Sequence, residues 1–285
     1  MNWTARRARF RAQIDSEHCV QPGSVFDPIS ARIAEDLGFE VGMFAGSIAS
    51  MTVLGAPDLI VLTLPEFAEQ AYRICRAGDL ALLVDADHGY GNALNVKRTV
   101  EELETAGVAA LTIEDTDLPQ PHGINGTARL LPIDEGVGKM KAALEGRQDT
   151  SLVIAARTSA FSITDNDDAI ARAKAYEVAG VDALFFTGID TKEQVELINA
   201  AVSIPVFIAP GGKEVVDLPY LAKHGVRICL QGHKPFTAAV QATYTTLKAL
   251  RDGVPSSEIE NVASGELMKQ LTRNDNYQRL MKEYL

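Results

Sequence analysis

Along the chain a short apolar run, a turn and an amphipathic stretch recur at intervals of roughly 20–35 residues, the order in which βαβ units are laid down. Eight apolar runs read as strands, at residues 23–26, 41–45, 80–85, 109–114, 152–157, 182–187, 205–209 and 227–231. Runs such as LALLVD, LVIAAR and ALFFT do not alternate with polar residues, which marks strands buried on both faces of a parallel sheet. Helices must cover those faces, and the stretches 66–76, 93–106, 135–145, 167–179, 192–201, 218–223 and 236–250 carry apolar residues at helical spacing.

Gly38, Gly107, Gly180 and Gly225 each stand just ahead of a strand, where a left-handed cap would end a helix, inside the look-alike segments LGFE, AGVAA, AGVDA and HGVRI. Eight strands alternating with helices predict an α/β fold, a (β/α)8 TIM barrel, with an open doubly wound sheet as the competing architecture. The barrel, with a short N-terminal helix, spans residues 1–252, and residues 253–285 form a C-terminal helical extension. Leu267, Leu271, Leu280 and Met281 in the helical stretch 264–285 need a surface to bury on, either a neighbouring subunit or their own barrel.

Composition narrows the function. The 285 residues suit one barrel, and 27 Lys+Arg against 38 Asp+Glu give a net charge of −11 that repels nucleic acid and anionic membranes. Cys19, Cys75 and Cys229 form no CxxC pair, which excludes the usual thiolate zinc sites and suits a reduced, cytoplasmic chain. The arginine-rich start, Arg6, Arg7, Arg9 and Arg11 around Phe10, has no apolar signal region, and no run approaches the ~18 residues of a membrane span.

Barrel enzymes place their chemistry at the C-terminal ends of the strands. Here those ends carry Asp27, Ser47, Asp85, Asp87, Glu114, Asp115, Arg157 and His233. In LLVDADHGYGN, strand alternation would put Asp85 and Asp87 on one side, where two like charges call for a cation. With Glu114 from the next strand, the all-oxygen set suits Mg2+ or Mn2+. Any one of these acids could instead cap a helix or accept turn hydrogen bonds. Arg157 can fork onto a substrate carboxylate or pair internally with Asp85 or Glu114. Ser47 is either an anion-binding hydroxyl or an N-cap, His233 a substrate contact or a structural histidine, and Tyr90 a hydrogen-bond donor or a packing residue. The polar stretch 115–132 is long for a βα loop and reads as a lid or as a surface excursion.

In order, VFDPISARIAEDLGFE, FAGS, APD, DADHGYGNALNV, TIEDT, IAART and QGH resemble the isocitrate lyase and phosphoenolpyruvate mutase superfamily across most of residues 24–233. The resemblance implies a barrel whose dimers exchange the C-terminal helix and a small-molecule substrate whose α-keto-acid or α-hydroxy-acid head chelates Mg2+. It also implies Asp85 as direct metal ligand, Asp58, Asp87 and Glu114 as acids holding the metal's waters, and Ser47 and Arg157 as substrate binders. Lyases of the superfamily carry a cysteine in a KKCGH-like lid; here the lid reads QPHGINGT, which speaks against cleavage of isocitrate or methylisocitrate. Asn125 and Thr127 keep a phosphonopyruvate hydrolase or phosphoenolpyruvate mutase-like activity open.

QGH, NALNVKRTVEELETAG and IDEGVGKMKAAL look most like the bacterial oxaloacetate decarboxylase branch. That branch implies decarboxylation of oxaloacetate to pyruvate and CO2 through a metal-stabilised enolate, with His233 contacting substrate in a cytoplasmic homotetramer, a dimer of dimers. Pro210 in FIAPGGK departs from a tyrosine in that branch. A non-catalytic keto-acid-binding barrel is the alternative of another class.

Overall fold

A computed structural model describes residues 3–123 and 126–285. The eight apolar runs form strands β1 (Gly23–Ser24), β2 (Val41–Phe44), β3 (Ala81–Asp85), β4 (Ala110–Glu114), β5 (Val153–Thr158), β6 (Ala183–Ile189), β7 (Val206–Pro210) and β8 (Val226–Cys229). All neighbours pair in parallel and in sequence order. The seam between first and last strand is bridged just upstream of β1, where the Val20 N–H donates to Arg227 O at 3.0 Å and the Cys229 N–H donates to Val20 O at 2.9 Å. Every residue of β2 and β4 is buried, as continuous apolar runs require.

The helices are α1 (Trp3–Ile14), α2 (Pro28–Asp36), α3 (Gly46–Ala49), α4 (Leu64–Cys75), α5 (Ala93–Ala106), α6 (Ile133–Gly146), α7 (Ala160–Ile163), α8 (Asn166–Ala179), α9 (Lys192–Ala201), α10 (Leu218–Lys223), α11 (Lys234–Arg251), α12 (Gly265–Leu271) and α13 (Asn274–Tyr284). Their ends follow local chemistry. Asn92 and Asn95 form a capping box at the start of α5, and Gly107 and Gly180 end α5 and α8 at φ 91° and 97°.

Two expectations change, and the arginine-rich start finds its place. Asp27, read as a strand-end candidate, is the N-cap of α2, its Oδ1 accepting the Ser30 N–H at 2.7 Å. The arginines of α1 plug the end of the barrel opposite the site. Arg6 donates to the carbonyls of Cys75 and Gly78, Arg7 to Val108, and Arg11 to Leu152, while Phe10 packs edge-on against Phe207 of β7. The stretch 264–285 is two helices, because Arg273 turns left-handed at φ 56° and forks onto Asp36 of α2 at 2.6 and 2.7 Å. Leu271 is buried beside α2, whereas α11 and α13 bury no residue. An apolar cleft lined by Phe26, Ile33, Leu37, Phe39, Pro235 and Ala239 lies between α2 and the start of α11.

Candidate active site

The strand ends open into a cavity of about 540 Å³ whose lining includes Ser47, Asp58, Asp85, Asp87, Glu114, Arg157 and His233. Seven of the candidates named from the sequence therefore meet in one place, though not all for the anticipated reason, whereas Asp27, Asp115 and Tyr90 do not line it.

Asp85 closes β3. Its Oδ1 accepts the Thr112 hydroxyl at 3.1 Å and the Asp87 N–H at 3.2 Å, and its Oδ2 lies 2.5 Å from Arg157 Nη1. Register places Arg157 directly beside Glu114, whose Oε2 is 3.5 Å from Nη2. Both internal partners weighed for Arg157 are thus present, and its guanidinium also faces the Phe185 ring at 5.6 Å. Burial alone would ease its proton off, but Asp85 and Glu114 outweigh that and hold it charged.

Asp87 reaches the cavity by a different route from strand alternation. The strand ends at Asp85, and Asp87 adopts φ 47°, followed by Gly89, Tyr90 and Gly91 at φ 78°, 60° and 145°. This left-handed run reverses the chain while Asp87 O accepts the Glu114 N–H at 2.8 Å, so the turn is pinned to β4. Gly46 at the start of α3 makes room for the Asp87 carboxylate.

Ser47 sits within α3, whose N-cap position belongs to Ala45. Asp58 follows a π-helical turn, Ser50–Leu54, and Gly55 in a left-handed conformation, an irregular segment without periodicity to read. His233 precedes α11 and its Nδ1 lies 2.9 Å from Ser24 Oγ. Burial lowers its pKa against the opposing pull of Asp85, so the ring is neutral near pH 7.

His88 and Tyr90 do not line this cavity; they pack on each other at 6.1 Å and face a neighbouring cleft. Burial and Lys139 push His88 down to about 4. Asp115 turns away from the cavity onto Arg172 and Tyr176. The sequence reading missed Thr112, which braces Asp85, and Thr187, which lines the cavity 2.6 Å from Ser159 Oγ. Its place at the end of the sixth apolar run was the available signal. Leu118, Pro119 and Gln120 of the β4–α6 excursion form part of the wall. Thr127 is exposed and away from it, and Asn125 lies outside the described residues.

Four carboxylates and one guanidinium share this cavity, so its charge is not balanced from within. Burial first, then Asp85, Glu114 and Asp58, raise the Asp87 pKa well above the carboxylate range. Burial also raises Asp58 and Glu114, aided by Asp85 and opposed by Arg157. Such acids either keep protons or share a cation. Among the described residues no three His, Cys, Asp or Glu form a ready metal cage. A hard divalent ion does not need such a cage, since one or two carboxylates can hold it while water and substrate complete its shell.

A family profile described as phosphoenolpyruvate phosphomutase matches residues 10–251. An oxaloacetate decarboxylase of Bradyrhizobium sp. (strain ORS 278) is 55% identical over 285 residues, 100% of this chain and 99% of that one. The crystal structure of phosphoenolpyruvate phosphomutase from Streptomyces platensis subsp. rosaceus superimposes with a TM-score of 0.86 at 28% identity, covering 98% of this chain and 99% of the other. A phosphonopyruvate hydrolase in complex with oxalate and Mg2+ gives a TM-score of 0.85 at 26% identity over 98% and 99% of the two chains.

Proposed function

The chain belongs to the phosphoenolpyruvate phosphomutase family, and from that premise we propose that it is a carboxy-lyase that decarboxylates oxaloacetate to pyruvate and CO2 with a divalent metal. The observation that carries the reading is the 55% identity, end to end, with a protein named oxaloacetate decarboxylase, against 26% for the phosphonopyruvate hydrolase.

Asp85, with Asp58, Asp87 and Glu114 behind it, would hold the metal, Mg2+ in this reading with Mn2+ as substitute. Asp85 has capacity for it: a carboxylate offers about four lone-pair sites, and Thr112, the Asp87 N–H and Arg157 use three. Bound there, the cation supplies Lewis-acid stabilisation of the charge that develops on the C2 oxygen, worth roughly several kcal/mol.

Ser47 and Arg157 bind and orient the C1 carboxylate. Neutral His233, with Nδ1 engaged by Ser24, leaves Nε2 to position the C4 carboxylate. Phe185, Ala209 and Leu230 give the cavity an apolar wall, which accommodates departing CO2 at lower cost than the carboxylate it comes from. The three cysteines are free and buried, and none lines the cavity, so the reading assigns no thiol acid or base.

The unburied α11 and the apolar cleft beside it support a homo-oligomer in which a second copy covers this face; exchange of residues 253–285 and a dimer of dimers are the arrangement we propose for it. The free thiols accord with a cytoplasmic enzyme.

The deciding assay measures pyruvate release from oxaloacetate and from phosphonopyruvate, with Mg2+ and with chelator. Chelator-sensitive turnover of oxaloacetate in preference is the expected result. Preference for phosphonopyruvate reassigns the branch, and oxalate binding without turnover of either compound turns the protein into a keto-acid-binding barrel.

A further inference from the structure

The excursion between β4 and α6 is held at its base by a short antiparallel pairing. Thr116 bridges Leu130, the Asp117 N–H donates to Arg129 O at 2.8 Å, and the Leu131 N–H donates to Asp115 O at 2.8 Å. Strand pairs this short are weak by themselves. What lies beneath is a buried ionic cluster supplied by α8, a helix on the outside of the barrel.

Arg172 Nη1 donates to Asp115 Oδ2 at 3.0 Å and to Leu131 O at 2.8 Å, so one guanidinium touches the first and last residues of the pairing. The hydroxyl of Tyr176, one turn along α8, donates to the same Asp115 oxygen at 2.6 Å. Asp168 fixes the fork from the other side, accepting Arg172 Nε at 2.8 Å, and is itself held by the Thr164 hydroxyl at 2.8 Å. Asp115 and Tyr176 are fully buried and Arg172 is 6% exposed, so the bonds among these three are sheltered from water and salt, while Asp168 braces the arginine from the more open side. Space is reserved for the cluster as well: a Cβ on Gly136 of α6 would stand 2.3 Å from the Tyr176 hydroxyl.

We propose that Arg172, which does not line the cavity, is the positioning residue that clamps both ends of the β4–α6 excursion and so sets its wall residues, Leu118, Pro119 and Gln120, over the active site. Asp115 follows Glu114 directly, and its N–H donates to Arg157 O at 3.2 Å, so the clamp also steadies the strand ends that carry these two cavity residues. The effect on catalysis rests on the decarboxylase reading; the effect on the excursion does not.

The test is Arg172→Met, with Arg172→Lys as the conservative variant, read in two ways. Trypsin cleavage at Arg129–Leu130, a bond within the pairing, is followed by mass spectrometry on the folded protein, and kcat and KM for oxaloacetate are measured. Arg172→Met is expected to accelerate that cleavage at least about fivefold and to lower kcat/KM about tenfold, mostly through KM, with Arg172→Lys in between. If Arg172→Met does not fold, Tyr176→Phe, which deletes one hydroxyl, must change both quantities in the same directions by about twofold or more. Wild-type cleavage at Arg129–Leu130 in the folded variant overturns the clamp. So does a loss of activity that falls on kcat alone with KM unchanged. Wild-type enzyme inert toward oxaloacetate would overturn the decarboxylase reading while leaving the cleavage assay to judge the clamp.

Discussion

The carboxylate of Asp87 fills the space in which a side chain at residue 46 would begin: a Cβ on Gly46 would lie 2.3 Å from its Oδ1 and 2.6 Å from Oδ2. Asp87 cannot retreat freely, because its backbone is fixed in a left-handed turn bonded to Glu114. Gly46→Ala should therefore displace the carboxylate, raise the Mg2+ concentration needed for half-maximal activity and lower kcat/KM by about one to two powers of ten. Unchanged metal dependence in a folded Gly46→Ala protein would remove Asp87 from the metal-holding set.

Asp85→Asn keeps the shape of the side chain and its bond from Thr112 but removes the proposed ligand charge. It also leaves Arg157 with Glu114 at 3.5 Å, so that the buried arginine is not stranded. Metal-dependent turnover should fall by roughly three powers of ten, with a Tm within about 4 °C of wild type. Kinetics with varied Mg2+ and a thermal melt decide it; full metal-dependent activity would place the ligand elsewhere.

His233→Ala removes a neutral, Ser24-bonded ring from the cavity. Loss of one such contact costs about 1–3 kcal/mol, so kcat/KM should drop by about one to two powers of ten while the response to Mg2+ stays the same. Because its pKa is lowered, the ring is neutral at pH 7, with one of its two nitrogens still carrying an N–H. Any acid limb it contributes to the pH–rate profile should fall below pH 6.5 and disappear in the variant. A loss of metal response equal to that of Asp85→Asn would mean the role is misassigned.

Asp149 tests the barrel floor. Burial would raise its pKa, but bonds from Arg7, the Ser151 N–H and Thr4 outweigh this and bring it to about 2 from 3.8. A folded-state pKa below the unfolded value adds stability that is fully present above pH ~4 and is lost as pH falls toward 2, on the order of 2 kcal/mol in all. Denaturant unfolding at pH 6 and pH 3 should show Asp149→Asn losing nearly all of that amount at pH 6 and roughly half of it at pH 3. An equal loss at both values would sink the assignment.

Val240, Tyr244 and Leu247 recur along one face of α11 and are 50%, 65% and 61% exposed. Such a stripe beside an empty apolar cleft calls for a second copy of the chain to cover it. Light scattering should give wild-type protein a mass of several times 30.7 kDa, and Tyr244→Glu with Leu247→Glu should shift it toward the monomer. A wild-type monomer at micromolar concentration would refute the exchange.

Periodicity alone was enough to place all eight strands, because a strand buried on both faces must be apolar without interruption. The spans differ from the structure by a residue or two at most ends, as at 152–157 against Val153–Thr158. The strand-end rule then delivered Asp85, Glu114, Arg157 and His233 to one cavity, since in a parallel barrel every strand ends on the same rim. Asp58 came from resemblance alone, because its irregular approach through a π turn leaves no pattern of apolar positions.

What only the tertiary structure decided depends on pairs far apart in sequence. That Asp87 enters by a left-handed turn against Gly46, that Arg157 is already engaged by Asp85, and that Arg172 ties Asp115 to Leu131 all rest on contacts between elements. A sequence records which groups can bond and on which face they lie. Which partner each one meets is set by the packing of the sheet and helices, and burial then turns that meeting into a shifted pKa.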